Sequence, residues 1–205
     1  MEGWVPKTKI GRLVSEGAIK SIDEILALGV PIREVEIVDI LLPDLEEELI
    51  DIRTVQRQTD AGEVSSLRVV VAVGDRNGHI GVAKGKGKTF RNAVQEAIIR
   101  AKLNICYVRR GCGSWECACG LPHSLPFKVT GSSGSVRVKI FPAPSGLGIV
   151  ANETGRTLLS LAGISDARVF SRGNTANKLN YAKAIYDALR KTTQQSLFKG
   201  VKVEA

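Results

Sequence analysis

Four cysteines, Cys106, Cys112, Cys117 and Cys119, fall within 14 residues, and one of the two histidines, His123, follows them. The run Cys112-x4-Cys117-x-Cys119-x3-His123 supplies four soft or borderline ligands in twelve residues, enough for a closed structural zinc site. The spacing departs from that of zinc knuckles, which more often leave two residues between paired cysteines, and side chains one apart diverge on extended backbone. The competing reading is a tight linker of small, weakly polar residues with Trp115 packed as a lid. Disulfides fit poorly with a reducing compartment. No histidine-glutamate pair accompanies the cysteines, as zinc deaminase chemistry would require.

A second constellation is Gly81-Val82-Ala83-Lys84-Gly85-Lys86-Gly87-Lys88-Thr89, set between a strand pattern and a helix pattern as a phosphate-binding loop would be. A nucleotide P-loop needs four residues between its first glycine and Gly-Lys-Thr. Here Gly81 and Gly87 enclose five, and the position that should be glycine is Val82. A β-branched residue there prevents the backbone from wrapping a triphosphate. Three lysines at alternate positions before a helix start still suit a phosphate backbone, with the glycines permitting close approach. His79 has no nucleophile beside it, and serine, histidine and acid residues assemble into no triad motif. Asn152-Glu153 and Asp166 read as helix-start and loop residues. The chain is therefore expected to be no enzyme.

Charge points to the same kind of partner. Residues 1–51 hold twelve acids and five bases, whereas residues 52–205 hold nine acids and 24 bases, a strong field for a polyanion. The cations are interleaved with glycines and do not line one amphipathic helix, which argues against a membrane surface. Aromatic content is 5%, with no aromatic strand motif for stacking unpaired bases, so backbone recognition of nucleic acid is expected. The opening residues lack the apolar run of a signal peptide, and no stretch reaches the ~20 apolar residues of a membrane span. The expected location is the cytoplasm.

The elements that must position these residues follow from periodicity. Gly3 to Gly11 reads as an arm, Ser21 as the N-cap of a short helix ended by Gly29-Val30-Pro31, and Glu34 to Leu42 fits both helical and strand spacing. Leu49 to Val55 and Leu67 to Val73 form a hairpin around a turn at Thr59 to Gly62, and Gly74 to Gly78 turns into a third strand, His79 to Lys84. Thr89 caps a helix whose apolar stripe is Phe90, Val94, Ala97, Ile98, Ala101 and Ile105. Residues 106–124 interrupt both periods. Beyond them, Leu125 to Thr130 and Ser135 to Phe141 flank a hairpin turn. A helix near Thr154 to Ala162, a strand at Ala167 to Ser171 and a last helix from about Asn177 to Arg190 complete the pattern, followed by a polar, basic tail. The fold class is α+β in two small domains, the first of β-β-β-α order. The expected divisions are an N-terminal extension (1–44), a double-stranded-RNA-binding-like domain (45–108), a Cys-rich connector (109–124), a C-terminal α+β domain (125–192) and a tail (193–205).

The stretch Val69-Val70-Val71-Ala72-Val73-Gly74-Asp75-Arg76-Asn77-Gly78-His79-Ile80-Gly81-Val82 resembles the signature of the small-subunit ribosomal protein S5 family. The likeness continues through Gly85-Lys86-Gly87-Lys88, Pro122-His123, Pro142-Ala143-Pro144 and Ser171-Arg172-Gly173-Asn174-Thr175-Ala176-Asn177, covering roughly residues 45–190. The amino-terminal segment and Val108-Arg109-Arg110-Gly111 resemble the archaeal and eukaryotic branch, whose eukaryotic member is called S2. The resemblance implies a double-stranded-RNA-binding-like first domain and a second domain with a left-handed β-α-β crossover. It implies a structural constituent of the small subunit bound to ribosomal RNA, with proteins S4 and S8 as neighbours. It also implies a place near the opening where messenger RNA enters, and a contribution to assembly and translational accuracy. Arg57 to Gly62 matches the position of the family's RNA-binding hairpin loop. The expected RNA-binding set is therefore Arg57, Gln58, Arg76, Asn77, Lys84, Lys86, Lys88, Arg109, Arg110, Arg172 and Asn174, with the acidic region 34–51 facing a basic protein neighbour or solvent. Cys112, Cys117, Cys119 and His123 are the candidate metal ligands, for a structural zinc.

Overall fold

A computed structural model describes residues 4–117 and 119–198, with side chains through Thr193. Three short helices, α1 (Lys9–Ser15), α2 (Ile22–Ala27) and α3 (Val35–Leu41), open the chain. The expected arm is thus a helix from Lys9 onward, while Gly3 lies outside the described residues. The physical reason is shared burial: Val14, Ile22, Ile25, Ile37 and Val38 pool their apolar faces, and Leu45, Leu103 and Ile105 of the next domain close the cluster. That burial also settles the ambiguous 34–42 segment as helix. Thr8 caps α1 by accepting the Gly11 N–H at 3.0 Å. The Glu34 carboxylate accepts the Lys7 and Thr8 N–H groups at 3.0 and 2.6 Å, tying the entrance of α1 to that of α3.

The first sheet is antiparallel in the order β1-β2-β3-β4, built from β1 (Glu46–Thr59), β2 (Gly62–Gly74), β3 (His79–Gly87) and β4 (Ile105–Tyr107). The β1–β2 hairpin closes over Asp60-Ala61 with Gly62 at φ +122°, and both strands run longer than the apolar pattern suggests. Helix α4 (Phe90–Leu103), capped by Thr89, covers one face by packing Ala93, Ala97 and Ala101 on Val69, Val71 and Val73. A short edge strand, β4, occupies the start of the segment that interrupts both sequence periods.

The second sheet has the order β5-β6-β8-β7, from β5 (Val129–Ser133), β6 (Val136–Pro142), β7 (Ile149–Val150) and β8 (Ala167–Arg172). β7 and β8 are parallel and joined through α5 (Glu153–Leu161), whose N-cap Asn152 accepts the Gly155 N–H at 2.9 Å. Leu125 to Lys128, expected as strand, instead carry the chain to β5, with Leu125 fully buried as a plug. The last helix, α6 (Lys178–Phe198), extends past Arg190 through the first residues of the expected tail. It does so because its end has a docking surface: Thr193 donates its hydroxyl to the Tyr107 carbonyl at 2.7 Å, and the buried Thr192 hydroxyl accepts the Arg109 N–H at 3.1 Å. Residues 199–205 of that tail lie outside the described residues.

The result is an α+β protein of two domains that share one core. Val70, Ala72, Ile80 and Val82 from the first sheet meet Val136, Leu158, Ile185 and Leu189 from the second domain.

Candidate nucleic-acid interface

The segment expected as a basic, glycine-rich loop is strand. β3 continues to Gly87, so glycines and lysines alternate across the pleat. Gly81, Gly85 and Gly87 face α4, where a Cβ on Gly85 would collide with the Ala93 carbonyl and sit 2.5 Å from the Ala97 nitrogen. The glycines therefore serve helix packing and not approach to a ligand. Lys84 and Lys86 point to the opposite, open face, Lys88 follows just past the strand's end, and all three are exposed.

Strand register extends that face. Arg53, Arg68 and Lys86 stand directly opposite one another on three neighbouring strands. Arg57, further along β1, shares the same side. Like charges set opposite on adjacent strands destabilise a sheet by a few tenths of a kcal/mol to about 1 kcal/mol, unless an anion lies over them. Arg53 contacts Asp51 at 2.9 Å and donates to the Ala176 carbonyl at 3.2 Å. The second contact brings the turn bearing Arg172 and Asn174 against the same face. The Nε of half-buried Arg68 has no hydrogen-bond partner among the described residues.

The second sheet has an open face as well. Arg137 pairs with Arg172, Lys139 with Phe170, and Phe141 with Arg168 across β6 and β8. Phe170 is 63% exposed amid these cations, and Lys128 Nζ stands 4.8 Å from the Phe141 ring. Sequence reading missed Arg53, Arg68, Arg137, Lys139, Arg168 and Phe170. Strict alternation in Val136-Arg137-Val138-Lys139-Ile140 was the available signal.

Other expected contacts lie elsewhere. Arg76, at φ +55°, pairs with Glu46 at 2.7 Å, and Arg110 donates to the Asn77 side chain and carbonyl at 2.5 and 3.0 Å. Asn77 and Arg110 lace the β2–β3 turn to the connector, while Arg76 ties that turn to the start of β1. Gln58 pairs with Glu63 on the face opposite Arg57, and Arg109 is half-buried beside α6. The acidic region, expected to face a neighbour or solvent, exposes Glu36, Asp39, Asp44, Glu46, Glu47 and Glu48, and some of its acids also hold the chain's own bases. Asp39 meets Lys102 at 2.9 Å, Glu47 meets it at 3.5 Å, and Glu46 and Asp51 hold Arg76 and Arg53.

His79 is a buried link, not a surface group. Its Nδ1 lies 2.5 Å from Asp75 and its Nε2 2.9 Å from Asp23 of α2, with the Tyr107 ring 5.7 Å away. Burial opposes the imidazolium, but the hydrogen bonds and charges of the two carboxylates outweigh it and raise the His79 pKa. Burial likewise opposes the Asp75 carboxylate, and hydrogen bonds from His79 and the turn amides lower its pKa.

The connector brings Cys112, Cys117, Cys119 and His123 together, with ligand atoms all within 4.8 Å of one another. Cys106 stands apart in the shared core, where burial pushes its thiol up to about 12.

Two family descriptions match the chain: "Ribosomal protein S5, N-terminal domain" over residues 45–109 and "Ribosomal protein S5, C-terminal domain" over residues 131–198. Similar proteins include the small ribosomal subunit protein uS5 of Thermofilum pendens, 56% identical over 93% of this chain and 95% of its own length. That of Aeropyrum pernix is 55% identical over 94% of this chain and 88% of its own, and that of Thermoplasma acidophilum is 48% identical over 98% and 90%. Two matched domains laid end to end over two sheets, with relatives this similar along nearly the whole chain, show that it belongs to the ribosomal protein S5 family.

Proposed function

We propose that the chain is a structural constituent of the small ribosomal subunit and binds ribosomal RNA through the open face of the first sheet. The observation that carries this reading is the row Arg53–Arg68–Lys86, flanked by Arg57, Lys84 and Lys88 and continued by the Arg172–Asn174 turn. Sheet faces bearing cations at strand spacing suit the regular phosphates of a folded RNA, which dominate affinity without demanding base contacts. The second open face, with Arg137, Lys139 and Arg172 around Phe170, extends the surface and offers one ring to an unpaired base. Arg76, Asn77 and Arg110 serve mainly to brace the turn behind it, with their outer edges available to the same RNA. On this reading the chain works in the cytoplasm beside proteins S4 and S8, near the opening where messenger RNA enters. It contributes to assembly and accuracy by holding RNA, and not by chemistry of its own.

The test is the salt dependence of binding to a small-subunit ribosomal RNA fragment. Replacing Lys84, Lys86 and Lys88 together by alanine should reduce the slope of log affinity against log salt by about 2 to 3, at ~0.7 to 0.9 for each phosphate no longer neutralised. Sequence preference should barely change. An unaltered slope would remove this face from the interface.

A further inference from the structure

We propose that Cys112, Cys117, Cys119 and His123 hold one zinc(II) ion in a closed three-sulfur, one-nitrogen site that fastens the connector to the second domain. Three separate observations lead there. The first is convergence: Cys117 Sγ lies 3.9 Å from His123 Nε2, and no two of the four ligand atoms are more than 4.8 Å apart. In a tetrahedral zinc site, with Zn–S about 2.3 Å and Zn–N about 2.0 Å, neighbouring ligand atoms stand roughly 3.5 to 3.8 Å apart. A closure of a few tenths of an ångström to about 1 Å reaches that geometry. The one-residue gap between Cys117 and Cys119 is no obstacle, because both sulfurs fall within the same 4.8 Å group and the chain turns on either side of the pair. Before the pair the Ser114 carbonyl accepts the Cys117 N–H at 3.3 Å, and after it Gly120 adopts φ +69°.

The second observation is the orientation of His123. Its Nδ1 stands 2.8 Å from Asp166, a residue 4% exposed whose other carboxylate oxygen accepts the Gly148 N–H at 2.8 Å. The carboxylate is thus fixed on both oxygens and selects the tautomer with the proton on Nδ1, which leaves the Nε2 lone pair aimed at the sulfurs. A carboxylate behind a histidine is the usual outer support of a metal ligand.

The third observation is what the loop lacks. Its base is closed by the Gly111–Ser124 bridge and by the Gly113 N–H on the Leu125 carbonyl at 3.0 Å. Beyond that base its large apolar side chains face outward: Trp115 is 93% exposed and Leu121 62% exposed. The lid packing of Trp115 that the competing tight-linker reading requires is not found. A loop that buries so little apolar surface gains its order from another source, and small metal sites are such a source. With four protein ligands no coordination position remains for water, so the ion is structural and not catalytic.

The test uses the full chain, purified under reducing conditions. Elemental analysis should find about one zinc per chain, and cobalt(II) in its place should give the intense visible bands of tetrahedral thiolate coordination. Chelation should lower the melting temperature. Cys119→Ser should abolish those cobalt bands. Asp166→Asn should keep the tetrahedral spectrum while weakening zinc about 10- to 100-fold, because it removes support and not a ligand. Folded protein that stays metal-free after dialysis against zinc, a weak octahedral cobalt spectrum, or thiol titration showing two of the cysteines joined as a disulfide would each overturn the proposal. If Cys119→Ser fails to fold, stoichiometry and the cobalt spectrum of the unaltered chain decide.

Discussion

Between the carboxylates of Asp75 and Asp23, the imidazole of His79 joins the β2–β3 turn to a helix more than fifty positions earlier in the chain. Its pKa is raised on folding, so the stability it contributes is complete below the unfolded histidine value of about 6.5 and is lost as pH rises through the higher folded value. Asp75 works the other way: its lowered pKa contributes above the unfolded carboxylate range and fades as pH falls through the folded value. Asp23→Asn should therefore flatten the loss of melting temperature on going from mildly acidic to alkaline pH, by an amount worth roughly 1 kcal/mol or less, since Asp23 is half exposed. Parallel pH profiles for variant and parent would rule the link out as a titrating element. Phe170→Ala probes a different property. Its ring is mostly exposed, so stability should change by less than about 0.5 kcal/mol. RNA affinity should drop by about 1 to 3 kcal/mol if a base stacks there. Equal affinity in a filter-binding comparison would confine recognition to the cations.

Strands β3 and β5 each set a glycine beneath a helix where no side chain fits. Gly85 lies under Ala93 and Ala97 of α4, and Gly131 lies under Ala184 and Ala188 of α6. Either glycine changed to alanine forces helix and sheet apart, at a cost of about 1 to 3 kcal/mol by over-packing, and chemical denaturation should show it. Wild-type midpoints in both variants would mean the helices shift freely. Much of this level was legible in the residues. The Thr89 and Asn152 caps, the β-β-β-α order and the α4 stripe follow from local chemistry and spacing. The alternation of glycine and lysine was visible too, but short glycines leave strand and loop equally open until a packing helix is in place. Arg53 and Arg68 escaped notice because facing positions come from register, which joins residues fifteen apart in β1 and β2. The arm became helix for a similar reason: α1, α2 and α3 are each too short to be stable alone and acquire burial only from one another.

At the scale of the whole molecule, the two sheets are halves of one apolar interior, since Val70, Ile80 and Val82 touch the same cluster as Ile185 and Leu189. Calorimetry should record a single cooperative transition, and two resolved transitions would show that the domains fold separately. The separation of charge also has an internal logic, because acids near the start of the chain hold Lys102, Arg76 and His79, while on the open faces the paired cations among the described residues are Arg53, held by Asp51, and Arg168, held by Glu116. Beyond the end of β3, five cross-strand pairs from Val55–Ser66 to Thr59–Gly62 continue as a two-stranded ribbon. At ~3.4 Å per residue it reaches about 17 Å outward, past the third strand. Ribbons of two strands are marginal in water, so before assembly its amides should exchange quickly with solvent. Seating among nucleotides would then quench that breathing, and the ordering entropy would temper the grip, so that a wrong docking is released more readily than a right one.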